Sequence, residues 1–146
     1  MVTTNNIKQS VRIHAPQHEV FAFLTNPQNL PQWMPNIVDV KNIAGPEGSG
    51  RSWEFDYAFA GMHHHGKSFI TEYDKDKRVG VKTEGDLALD WHFRFEPEGD
   101  YTLLSVEADY EMPVRLLSKI EAPLLRRLHE NDGRHALENL KAHLET

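Results

Sequence analysis

The plainest signal along the chain is alternation of apolar and polar positions. In residues 87–96, Leu87, Leu89, Trp91, Phe93 and Phe95 interleave with Ala88, Asp90, His92, Arg94 and Glu96, the period of two that marks a strand with one covered and one wet face. The same rhythm sets Trp53, Phe55, Tyr57 and Phe59 against Ser52, Glu54, Asp56 and Ala58, so one face of that segment is wholly aromatic. It recurs in Leu104, Val106, Ala108, Tyr110 and Met112, and near the start in Ile7, Gln9, Val11 and Ile13. Residues 37–43, 65–73 and 79–84 read as further strands. In 69–73 both alternating sets contain apolar members, so the pattern assigns no inward face there.

Turn chemistry separates these segments: the glycine-rich loop 45–50, Gly61, the run 74–77, Gly85-Asp86 and Glu98-Gly99-Asp100. After the first strand, Ala15-Pro16 stops the alternation. Pro16 then opens a short helix carrying Val20, Phe21, Phe23 and Leu24. A second short helical piece, 28–33, is bracketed by Pro27 and Pro35. The period changes to helical for the last time at 123–144, with Pro123 suited to a first turn, and residues 114–121 predict a separate turn or two leading in.

This order defines an α+β domain: about seven antiparallel strands, two short helices after the first, and one long C-terminal helix on the covered face. A sheet this aromatic must curl to bury its rings, and a helix about 33 Å long cannot fill the concavity alone. On that helix Leu124, Leu125 and Leu128 share a sector that continues through Asn131, Asp132 and His135. The stripe turns polar midway, either as a solvated flank or as a polar cap on an internal cavity. Gly133 costs about 1 kcal/mol relative to alanine in a helix interior, which points to a bend or a close approach.

Composition narrows the function. The 146 residues fit one domain, 1–146, able to build a core without staples. With no cysteine, disulfides and thiolate chemistry are excluded. A net charge of −6 works against nucleic-acid binding. No apolar run approaches the ~20 residues that span a membrane, and a soluble cytoplasmic protein, monomer or homodimer, is expected.

Several pieces of the chain together resemble the START-like, or SRPBCC, helix-grip superfamily, in its bacterial polyketide cyclase/dehydrase-like branch. They are Ala15-Pro16 with Glu19-Val20-Phe21, the segment Asn29-Leu30-Pro31-Gln32-Trp33-Met34-Pro35, Trp91 to Pro97, Tyr110-Glu111-Met112-Pro113, and Ala136-Leu137-Glu138-Asn139-Leu140-Lys141. The resemblance implies a deep cavity between a curved sheet and the last helix, used for lipids, polyketides or other hydrophobic molecules. Only some relatives are enzymes, and no shared catalytic signature carries over.

The candidate ligand-binding residues are therefore Trp53, Phe55, Tyr57, Trp91, Phe93 and Tyr110 on the sheet, with Leu124, Leu128, Asn131 and His135 on the helix. As packed core, the aromatics would need no guest, but their phenol and indole tips want partners when buried. A general acid or base, if there is one, would come from His135, Tyr110 or Tyr57. His63 and His65 in the run Met62-His63-His64-His65 would share a strand face, yet two imidazoles are too few for a metal site, and the run reads as a hairpin tip or cavity rim. No cofactor motif is present. The leading reading is binding of a small hydrophobic molecule. The alternatives are a cyclase, dehydratase or aromatase working in the same cavity, and a protein-interaction module.

Overall fold

The computed structural model describes residues 3–59, 61–86, 88–112 and 122–145. Seven strands form a single antiparallel sheet: β1 (Thr3–Ile13), β2 (Ile37–Ala44), β3 (Ser52–Phe59), β4 (Met62–Asp74), β5 (Arg78–Gly85), β6 (Ala88–Glu98) and β7 (Tyr101–Met112). Their order is β1-β7-β6-β5-β4-β3-β2, so every consecutive pair from β2 to β7 is a hairpin. The first strand closes the far edge on the last, with Thr3 opposite Met112 and Ile13 opposite Thr102. Between β1 and β2 lie α1 (Gln17–Thr25), a short 3-10 turn (Pro27–Asn29) and α2 (Leu30–Trp33), and α3 (Ala122–Leu144) ends the chain. The expected lead-in helix at 114–121 falls outside the described residues.

Local chemistry explains the joints. Pro16 is extended ahead of α1, and Asn26 caps the 3-10 turn by accepting from the Gln28 backbone N–H. Gly61, at φ 74°, supports a tight hairpin in which Phe59 pairs directly with Met62. As a result β4 starts three residues before the expected position, and the histidine run is a strand rather than a hairpin tip. A register shift between Ile70 and Glu72 leaves Thr71 as the extra residue opposite Gly80. That bulge resets the alternation: Ser68 and Ile70 are buried before it, and Tyr73 is half-buried after it.

The solid core sits where α1 and the C-terminal half of α3 meet the sheet. Ile13, Val20, Phe21, Leu104 and Leu140 are essentially excluded from water, and Phe21 meets Phe95 and Tyr73 edge-on at centroid distances of 5.1 and 5.2 Å. Each such side chain contributes roughly 1.5–3 kcal/mol by burial. Polar ties fix the end of α3: Lys141 donates to the Arg12 carbonyl at 2.8 Å, and Glu145 accepts from the His14 N–H at 2.8 Å. Farther back, Asn139 donates to the Trp33 carbonyl at 3.4 Å.

Gly133 marks a close approach. A Cβ there would lie 2.5 Å from Gln9 Oε1, and the Gln9 amide donates to the Glu130 carbonyl at 2.8 Å. Gly133→Ala should be close to neutral in the wild type, because the ~1 kcal/mol of helix propensity is offset by displacing that hydrogen bond, worth about 0.5–1.5 kcal/mol. In a Gln9→Ala background the same change should stabilise by about 1 kcal/mol. Denaturant unfolding of the four proteins measures this coupling, and identical effects in both backgrounds would show that Gln9 does not set the glycine requirement.

Candidate ligand cavity

A cavity of about 160 Å³ lies between the sheet and α3. One water needs about 10–15 Å³, and a void of roughly 150 Å³ takes up benzene, so the space suits a ring-sized guest. Its walls are overwhelmingly apolar. Trp53, Phe55, Tyr57, Trp91 and Phe93 line it from the sheet, as the alternation of β3 and β6 predicts. Leu24, Leu30 and Trp33 close it from α1 and α2, and Ala136 and Leu137 from α3.

None of the four expected helix residues lines the cavity. Leu124 is 48% exposed, His135 is exposed, and Asn131 accepts from the Arg134 guanidinium at 2.8 Å instead of facing the void. Leu128 is half-buried against the core without lining the cavity. The reason is rotational. The buried stripe is anchored by Ala136, Leu137 and Leu140, and projecting it back at ~100° per residue reaches Gly133, Asp132 and His129. Leu124, nine positions before Gly133, falls about half a turn away. Tyr110 is buried but lies just behind the wall, its ring 4.3 Å from that of His129.

The polar groups at the cavity come from this corrected stripe and from the loop facing it. Asn36 donates to the Asp132 carboxylate at 2.6 Å. Burial raises the Asp132 carboxyl above its ordinary range, although the Asn36 hydrogen bond and the nearby His135 charge pull it back. Burial lowers the His129 imidazole to about 4, so it is neutral at pH 7. Ser68 and Thr83, buried on the sheet, share one hydrogen bond at 2.8 Å. Among the described residues the buried Trp33 indole N–H and Tyr110 hydroxyl have no hydrogen-bonding partner, and burial holds the Tyr110 phenol above its usual value.

The histidine run splits by strand parity. His64 points inward, stacked on Tyr57 at 5.0 Å with its Nδ1 3.6 Å from Asp86. His65 lies on the outer face between Asp56 at 2.9 Å and Glu54 at 3.2 Å, which hold its imidazole above the ordinary value, chiefly through the Asp56 hydrogen bond. Among the described residues no cluster of three metal-ligating side chains occurs, and His63 and His65 do not form part of one. The sequence did not single out His129, Trp33 or Asn36 as site residues. Trp33 was visible within the proline-bracketed segment, and the others required knowing which side of α3 faces inward.

A seven-stranded sheet curved around a long terminal helix, with an apolar cavity between them, defines a helix-grip ligand-cavity domain. The chain belongs to the polyketide cyclase / dehydrase and lipid transport family, whose sequence profile matches residues 4–145. No curated protein matches it by sequence. Solved structures with the same fold include TTHA0849 from Thermus thermophilus, at 17% identity and TM-score 0.84 over 96% of this chain and 97% of that one. A START superfamily protein from Mycobacterium smegmatis superposes with TM-score 0.81 at 19% identity, covering 96% and 97% of the two chains. The Zhui aromatase/cyclase from a Streptomyces species gives 0.83 at 13% identity over 98% and 94%. Among the described residues no helix is long and apolar enough to cross a membrane.

Proposed function

We propose that this domain binds a small, largely hydrophobic molecule in the cavity between sheet and α3, as a cytoplasmic carrier or sequestering protein. The observation that carries the reading is an apolar void large enough for a ring, with a few polar groups among its lining residues. Apolar burial supplies the affinity, at about 25 cal/mol per Å², and the polar groups set orientation. Family membership supports the same reading.

A second reading follows from one feature of the site. His129 and Asp132, three residues apart on one helix face, are both shifted toward their neutral forms by burial. Such a pair could move protons in a cyclisation or dehydration of a bound molecule. Asp132→Asn separates the two: a carrier keeps its function with unchanged binding, whereas an enzyme loses turnover while still binding.

The chain supplies its own reporter. All three tryptophans, Trp33, Trp53 and Trp91, line the cavity. Titration with naphthalene should therefore produce a saturable change in tryptophan fluorescence, and solvent extraction of the purified protein should release a hydrophobic molecule. Unchanged fluorescence together with an empty extract would overturn the proposal.

A further inference from the structure

The polar groups of the cavity are unequal in a way that restricts the guest. Ser68 and Thr83 share one hydrogen bond, in which one hydroxyl donates and the other accepts, and Asn36 donates to Asp132. Trp33 lines the void, is 1% exposed, and carries an indole N–H that meets no acceptor among the described residues. An indole N–H can only donate. Buried donors are paired in the great majority of cases, and an exception calls for an explanation. Trp33 is also well fixed: α2 ends on it, and its own carbonyl is held by Asn139 from α3.

We propose that Trp33 selects guests bearing a neutral, acceptor-only oxygen, a carbonyl above all, which its indole N–H would bind; this rests on the cavity being the ligand site. Two further observations define the class. A carboxylate guest would enter an apolar space that already contains Asp132, with both desolvation and like charge against it. A pure hydrocarbon would leave the indole donor unsatisfied. Neutral ketones, esters or lactones on an apolar frame meet both conditions, whereas free fatty acids do not.

The test uses two probes of one shape, acetophenone and 2-phenylpropene, in which a methylidene group replaces the carbonyl oxygen. In wild-type protein with ¹⁵N-labelled indoles, acetophenone should move the Trp33 N–H proton downfield, and 2-phenylpropene should not. The resonance is assigned by its absence in Trp33→Phe, or by elimination with Trp53→Phe and Trp91→Phe should the first variant fail to fold. By calorimetry, Trp33→Phe should weaken acetophenone about tenfold, the value of one such hydrogen bond, and change 2-phenylpropene by less than about twofold. If both probes bind and neither the shift nor the differential loss is seen, Trp33 does not select for oxygen, and the cavity reading stands. If neither probe binds and naphthalene also fails, both proposals fall together.

Discussion

Replacing Ala136 by phenylalanine is expected to abolish naphthalene binding, by at least about 100-fold or roughly 2.7 kcal/mol, in a protein that unfolds at or above the wild-type temperature. Ala136 is 7% exposed and faces the void from α3, one turn after Asp132 and one turn before Leu140. A phenyl group there projects into space that the fold leaves empty. Enlarging a side chain in a filled core costs typically 1–3 kcal/mol through strain. Filling a cavity instead recovers dispersion contacts, since residual void costs about 24 cal/mol per Å³.

The two readouts, the thermal midpoint and a fluorescence titration, separate the outcomes. Loss of binding with retained stability places the guest in the void. Loss of both would mean that the ring has no room and the α3 side of the interior is packed. Normal binding by a stable Ala136→Phe protein would place the guest somewhere else on the molecule. The substitution adds no charge and breaks no hydrogen bond, so a change in binding reports occupancy of the space.

The sheet was legible because alternation is a local signal. Strands β3 and β6 put Trp53, Phe55, Tyr57, Trp91 and Phe93 on the inner face where the period of two placed them. Alternation failed at Thr71, where a bulge changes parity and the glycine that faces it, Gly80, lies on the partner strand. It also failed in β2, whose half-buried positions Ile37, Val40 and Ile43 recur every third residue because register shifts interrupt its pairing with β3. The wall contributed by α3 was harder to read. Its N-terminal leucines offered a plausible stripe, but rotation is set by tertiary contacts at the other end, where Leu137 and Leu140 enter the core. The polar stretch after Leu128 does reach the cavity at Asp132, while His135 is exposed and half-buried Asn131 does not line it. His129 carries no sequence mark at all. Its role depends on burial, which a single helix cannot reveal.

Acidification from about pH 6.5 to pH 4 is expected to destabilise the domain through His129, by up to about 3 kcal/mol. The imidazole is lowered to about 4 in the folded protein by loss of water, so over this interval the unfolded chain takes up a proton that the folded chain refuses. Its contribution is complete above the unfolded value near 6.5 and disappears as pH falls toward the folded value. Asp132 acts in the opposite sense. Its carboxyl is raised by burial, so the cost of keeping it ionised is relieved as pH drops through that raised value, which softens the lower end of the transition. His65, raised by its carboxylate neighbours, also opposes His129, with stability fully present below 6.5 and lost as pH rises. It is exposed, and about 0.5 M salt screens it. Urea unfolding at pH 7 and pH 4.5 in that salt, for wild type and His129→Phe, isolates the buried group. The variant should lose most of the pH dependence, and an unchanged slope would show that His129 titrates normally. Naphthalene affinity should hold across that interval and fall only at and below about pH 4, where His129 of the folded protein begins to charge and a guest that displaces water from around it makes that form still less favourable.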